Sequence, residues 1–316
     1  MSTQDDTTRH RTLKNISIEQ RKSKVGIDNF SQIPNDFSWF RNLELMVPNI
    51  LAGKDLKELS RCVRDARRAK KHVIVMMGAH AVKCGLTRLV NLAMEKGLIT
   101  ALAINGACAI HDVEIALWGK TSEDVETSLV SGQFGVTEET VSFFNKAVAF
   151  AYERRIGLGK AICECLANLN PAYKDYSLLM GAHKLGVTVT IHVAIGTDVV
   201  HQHPEADGEQ IGYATMKDFR IFSELVSQLD GGVVINIGSA VILPEVFLKA
   251  IAVARNRQAN LGDFVTANFD MYQMYRPTKN IIERPRLLGA RSFNFIGQHE
   301  LLLPIFFASI LDLSSR

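Results

Sequence analysis

Val73-Ile74-Val75-Met76-Met77-Gly78-Ala79-His80 is the stretch on which the fold turns. Five apolar residues in succession, the first three β-branched, read as a strand buried on both faces, because a strand with one wet face alternates. The glycine that ends it and the amphipathic stretch 81–96 beyond make a strand–loop–helix unit. That unit recurs outward along the chain. Strands are read at 101–104, 187–194, 233–237, 264–267 and 292–296, with helical periodicity near 55–70, 110–118, 138–154, 158–168, 175–185, 217–229, 243–257 and 298–313. Thr137 ahead of Glu138 and Glu139 forms a helix start, with a capping hydroxyl and two acids at the positive end of the dipole. Repeated units of this kind specify an α/β protein whose parallel sheet carries helices on both faces.

At 316 residues, with 47% hydrophobic and 22% charged side chains, the chain has the composition of a globular protein with a large core. Lys and Arg number 36 against 33 Asp and Glu, and six of the bases but three of the acids fall in residues 1–25, so the remainder is balanced at 30 of each. That balance argues against nucleic acid as a partner. Residues 1–25 have few apolar side chains and no periodicity, and read as a flexible basic arm before a single domain at 26–316. The basic cluster Arg61, Arg64, Arg67, Arg68, Lys70 and Lys71 reads as a solvated helix face. Five cysteines without paired CxxC spacing read as reduced core thiols. The N-terminus lacks an apolar signal core, and the longest uncharged apolar run, 301–311, is about half the roughly 20 residues of a bilayer span. A cytoplasmic protein with no membrane partner is expected.

Candidate chemistry lies in the loops after the strands. Gly78-Ala79-His80, Asn105-Gly106-Ala107, Gly196-Thr197-Asp198 and Gly238-Ser239-Ala240 are small and glycine-bearing. In open parallel sheets ligands bind at the carboxyl ends of strands, where a missing side chain lets phosphate approach backbone N–H groups. No GxGxxG fingerprint occurs, so each loop alone also reads as plain turn geometry. In Asn105-Gly106-Ala107-Cys108-Ala109-Ile110-His111-Asp112-Val113-Glu114, His111 and Glu114 share a helix face and Asp112 lies in the first turn. A histidine beside carboxylates is a workable acid–base group, the alternative being two acids that complement the dipole around a structural histidine. Asp198 could accept hydrogen bonds from ribose hydroxyls or an amine. His201 and His203 beside it are metal-ligand types without recognisable spacing, and no metal is assigned. The polar and aromatic segment 268–285 is richer in side-chain function than a plain crossover, or serves a subunit interface.

From about residue 36 to the C-terminus the chain resembles the deoxyhypusine synthase superfamily. The resemblance rests on 73–85, on the Asn105 to Asp112 loop, on Gly196-Thr197-Asp198 and on Gly231-Gly232-Val233-Val234-Ile235-Asn236-Ile237-Gly238. It implies a Rossmann-like NAD-binding fold, a homotetramer, and oxidation of an amine by NAD with transfer of an aminobutyl group through a catalytic lysine. Arg276-Pro277 matches an Arg-Pro of the family pattern, but the family lysine's position falls near Pro285, with Lys279 in the same segment as a substitute. Ile242-Leu243-Pro244-Glu245 stands where the family has a histidine pair. Asn105-Gly106 with His111-Asp112-Val113-Glu114 is also similar to the signature of archaeal-type ornithine cyclodeaminase, which implies NAD-dependent loss of ammonia through a transient imine.

The resulting expectation is an NAD-dependent enzyme that oxidises an amine-bearing carbon of a polyamine or basic amino acid and then transfers or eliminates the imine. An ornithine cyclodeaminase-like ammonia-lyase and a non-catalytic NAD-binding or regulatory protein are the alternatives. Gly78, Ala79, His80, Asn105, Gly106, Asp198, Gly238 and Ser239 are assigned to the cofactor. His111 is the base, Asp112, Glu114 and Glu245 are amine ligands, and Lys279 is the substitute carrier. A small cationic amine or amino acid is the expected substrate, in a homo-oligomer.

Overall fold

The strands, in chain order, are β1 (Ser23–Gly26), β2 (Val73–Met77), β3 (Ala101–Asn105), β4 (Lys120–Glu123), β5 (Thr188–His192), β6 (Val233–Ile237), β7 (Val265–Asp270) and β8 (Arg291–Ile296) in a computed structural model that describes residues 13–312. Six of them form one sheet in the order β5-β3-β2-β6-β7-β8, and every neighbouring pair is parallel. Numbered among themselves along the chain, these strands run 3-2-1-4-5-6, the order of the dinucleotide-binding fold. The order reverses between β2 and β6, which makes the carboxyl ends of those two strands the topological switch point.

The unbroken apolar runs are explained by burial on both sides. Val73, Val75 and Met77 join a core built with the helices Leu51–Arg68, Thr87–Glu95, Gly106–Trp118, Glu138–Arg154 and His299–Leu311. Ile74 and Met76 face the other way, toward Phe222 and Val226 of Gly208–Ser227 and Leu243 and Phe247 of Ile242–Asn256. The α/β class and its two helical layers are thus as the sequence indicates. The stretch 81–96, read as one helix, is two: His80–Lys83 and Thr87–Glu95. The break falls at Gly85, which has a φ of +69° and where a β-carbon would stand 2.7 Å from both the Asn29 carbonyl oxygen and the Phe30 α-carbon. Gly208–Ser227 starts well before 217, capped by Asp207, which accepts from the Glu209 and Gln210 amides. No helix of the described residues is long and apolar enough to cross a membrane.

The expected basic arm needs correction. Residues 1–12 lie outside the described residues, but the chain from Ile16 onward is packed. The Ile16 amide donates to Val136, Ile18 is buried, and Glu139 accepts from the Ser17 hydroxyl and the Ile18 amide at 2.6 and 2.9 Å. β1 then pairs antiparallel with β4, Ser23 opposite Glu123. The main tie is Arg21, whose guanidinium grips the Glu114 carboxylate with two hydrogen bonds of 2.7 and 2.9 Å. Thr137 is a helix N-cap by position, yet its hydroxyl accepts from Arg21 rather than from a backbone amide.

The Arg21 and Glu114 side chains are 4% and 2% exposed, so removing one strands a charge in the core. Arg21→Ala should lower stability by about 3–5 kcal/mol, and adding Glu114→Gln should recover much of that loss. Urea unfolding checks both, and an Arg21→Ala protein as stable as the parent would contradict the packing described.

Candidate functional site

The helix Gly106–Trp118 starts at the end of β3, where the Asn105 side chain accepts from the Cys108 amide at 2.9 Å. Asn105 is therefore a helix cap, not a group aimed at a ligand. One turn on, His111 Nδ1 lies 2.6 Å from the Thr121 hydroxyl, which lies 2.5 Å from Glu114 Oε2. Burial alone would raise Glu114, but Arg21 with its hydrogen bonds and charge, and Thr121, hold it below its ordinary value. The carboxylate is thus ionised and accepts only, so Thr121 donates to it and receives the proton of Nδ1–H. His111 is left a neutral imidazole whose Nε2 has no hydrogen-bond partner among the described residues. Burial, with the Lys83 charge nearby, pushes its pKa down to about 4.

His111 lines a cleft of about 150 Å³ with Lys83, Glu123, Phe134, Thr197 and Asp198. Asp198 follows β5 and sits over the start of the His111 helix so closely that a β-carbon on Gly106 would stand 1.9 Å from its carboxylate. Burial pushes its pKa up to about 6. His201 Nδ1 accepts from the amides of Gly196 and Asp198, both at 3.2 Å, and so shapes this loop. His203 turns away to the Gly135 carbonyl.

Two assigned amine ligands are corrected by this geometry. Asp112 has no exposed surface, and accepts from Ser177 Oγ at 2.5 Å and from the Leu178 and Leu179 amides at 2.6 and 3.0 Å. It caps the helix Leu178–Leu185, while burial, opposed by those bonds, pushes its pKa up to about 6. Glu114 is saturated by Arg21, Thr121 and Thr140 and so positions His111 instead of touching substrate. Glu245 and Lys279 lie beyond the His111 cleft, on the far side of the switch point. Glu245 pairs with Lys249 and Arg276 and accepts from Asn280, and Lys279 pairs with Glu283 one turn along its own helical segment.

The remaining assigned residues meet at the switch point. A β-carbon on Gly78 would stand 2.2 Å from the Gly238 carbonyl oxygen, and one on Gly238, at φ +61°, 2.7 Å from the His299 ring. Both glycines are thus required by protein packed on protein. Ser239 Oγ accepts from the Leu243 amide, and the His80 ring packs on His299 at 5.2 Å. Ala79 precedes the helix His80–Lys83 as its N-cap residue, and Lys83 at its other end lines the His111 cleft. Around Gly238, Asn236 Oδ1, Asp270 Oδ2 and His299 Nδ1 are buried with no hydrogen-bond partner among the described residues.

Arg21, Lys83, Thr121 and Thr140 were not indicated by the sequence. Nor was the ladder in which Asn236 donates to Asn268 and Asn268 to Asn294 across β6, β7 and β8, at 2.8 and 2.9 Å. Its signal was an asparagine near the end of each of three successive strands, in matching register.

No family model and no curated protein matches this sequence. Solved structures do share its fold. ArgZ, an arginine dihydrolase of the ornithine–ammonia cycle in cyanobacteria, is 15% identical with a TM-score of 0.52 over 84% of this chain and 33% of its own. AgrE in ternary complex with ornithine and NAD⁺ is 12% identical with a TM-score of 0.52 over 87% of this chain and 34% of its own. A candidate deoxyhypusine synthase from Entamoeba histolytica is 9% identical with a TM-score of 0.50 over 84% of this chain and 90% of its own. The chain thus spans about a third of ArgZ and AgrE. At these identities the likeness is one of fold, and the fold is the Rossmann-like one of the deoxyhypusine synthase-like proteins.

Asp112→Asn would turn an amide toward two backbone N–H groups and should cost about 1–3 kcal/mol. Chemical denaturation measures it, and unchanged stability would show that the carboxylate does not cap the helix.

Proposed function

We propose that the chain is an NAD-dependent enzyme that oxidises the amine-bearing carbon of a small basic amino acid, with His111 as the base and Asp198 as the anchor of the cationic substrate. The observation that carries this reading is the His111–Thr121–Glu114–Arg21 relay, which keeps an uncharged imidazole at a cleft that also holds the Asp198 carboxylate, which makes no salt bridge among the described residues. An ammonium or guanidinium would supply its counter-charge. A cleft of about 150 Å³ is smaller than the roughly 300–1,000 Å³ of drug-sized sites and suits a compact amino acid better than an extended polyamine. AgrE binds ornithine and NAD⁺ and ArgZ acts on arginine, which favours the same substrate class here.

We place NAD at the carboxyl ends of the strands around the switch point, a reading supported by Asn236, Asp270 and His299, each with a buried polar atom that has no hydrogen-bond partner among the described residues. The cofactor supplies one step, acceptance of a hydride from the amine-bearing carbon. His111 Nε2 takes the proton released from the substrate nitrogen, and Thr121 and Glu114 hold the ring in the tautomer that permits this. Lys83, a cation in the cleft wall, disfavours a charged imidazole and so keeps the base ready. With Lys279 paired to Glu283 and outside the cleft lining, the imine carbon is attacked by water or by the substrate's own second amine, and its nitrogen leaves as ammonia, instead of the imine being carried on a lysine. A homo-oligomer belongs to this reading as well, supported by exposed Leu45, Met46, Ile50 and Leu51 on one segment.

Thermal unfolding with NAD, alone and with ornithine, lysine or arginine, tests the assignment. A ligand at about a hundred times its dissociation constant should add about 2.7 kcal/mol, a shift of roughly 4 °C for a chain of this length. No shift at millimolar NAD would overturn it. His111→Gln should keep the NAD shift while cutting turnover by about 10²–10⁴-fold. Asp198 must be ionised to hold a cation, and its pKa is raised to about 6, so kcat/KM should climb with pH through about 6. Asp198→Asn should remove that limb, and a limb that persists in the variant would assign it elsewhere.

A further inference from the structure

We propose that His80, Cys84 and Glu300 form a binding site for a single zinc ion, a site separate from the His111 cleft. His80 Nε2 lies 3.3 Å from Cys84 Sγ, and Cys84 Sγ lies 3.9 Å from Glu300 Oε2. One donor atom from each residue lies within 4.8 Å of the other two. Zinc bonds of about 2.3 Å to sulfur and about 2.0–2.2 Å to nitrogen and oxygen place tetrahedral ligand atoms roughly 3.3–3.7 Å apart. The observed separations are therefore those of three corners of a tetrahedron after a small side-chain adjustment.

Local structure brings the donors together. His80 opens the short helix His80–Lys83 and Cys84 is its C-cap residue, its amide bonded to the His80 carbonyl at 2.9 Å. Residues four apart on a helical turn share a face, so imidazole and thiol point the same way. Glu300 arrives from the first turn of His299–Leu311, next to His299, whose ring packs on His80 at 5.2 Å and limits how the imidazole can turn. Glu300 makes no salt bridge among the described residues, so a dication would meet an uncompensated carboxylate. The combination of thiolate, imidazole and carboxylate selects zinc over magnesium or calcium, which take oxygen ligands. Binding forms the Zn–S bond and releases the thiol proton to solvent. Glu300 is exposed and the other two donors are half-buried, so the fourth corner opens outward to water or an anion.

The full chain, freed of metal by a chelator and kept reduced, can be titrated with zinc chloride by calorimetry and with cobalt(II) by absorbance. One zinc per chain is expected, and the cobalt form should show a thiolate charge-transfer band and tetrahedral d–d bands. Cys84→Ser should abolish the charge-transfer band and weaken zinc binding by more than the roughly 10–100-fold lost when an outer-shell partner is removed. Glu300→Ala, at an exposed position that does not risk the fold, should weaken it at least about tenfold, while Cys165→Ser should leave it unchanged. Absence of binding at micromolar zinc, a cobalt spectrum without the thiolate band, or parental affinity in Glu300→Ala would overturn the proposal. Because zinc alone is the probe, these outcomes are independent of whether the chain binds NAD.

Discussion

The Glu114 carboxylate is taken out of water at the heart of the molecule, and much of the structure follows from the need to satisfy it. Arg21 supplies the counter-charge from 93 residues away and ties the segment from Ile16 onward to the helices Gly106–Trp118 and Glu138–Arg154. Thr140 and Thr121 fill the remaining lone pairs, and Thr121 passes the constraint to His111. A buried ion pair contributes little to net stability relative to an apolar replacement, but losing one partner is severe. Its value here is positional: the pair fixes a threonine, and the threonine fixes a tautomer.

That relay lies toward the β3–β5 side of the switch point, while the buried unpartnered atoms of Asn236, Asp270 and His299 lie at the switch point itself. The short helix His80–Lys83 joins the two regions, with His80 packed on His299 and Lys83 in the cleft wall. The helix owes its shortness to Gly85, which turns the chain under Asn29 and Phe30. The N-terminal segment thus acts twice on the site, through Arg21 and through the backbone before Phe30.

All six strands of the parallel sheet were legible in the sequence, β2, β3 and β6 because burial on both faces demands nearly uninterrupted apolar runs, and the edge strand β8 because Phe293 and Phe295 alternate toward the core. β1 and β4 were not, since four-residue strands such as Ser23–Gly26 and Lys120–Glu123 lack an apolar signature. The His111–Glu114 spacing correctly put both residues on one face. Asp112 and Glu114, two apart, must point to nearly opposite sides of the same helix, and they do, one to the 178–185 helix and the other to Arg21. Spacing shows which residues share a face but not what that face meets. The glycines were legible as places of close approach, yet only the three-dimensional structure reveals that Gly238, Asp198 and His299 are what approaches them. Thr121 and Arg21 left no local trace, because each matters through hydrogen bonds to residues outside its own strand or segment.

Nitrogen-15 NMR of the His111 ring, recorded as a function of pH, tests the central claim most directly. The expected spectrum is that of a neutral imidazole protonated on Nδ1 at pH 6, which takes up its second proton only near the pKa of about 4. A ring that carries its proton on Nε2, or that titrates near the ordinary histidine value of about 6.5, would contradict it.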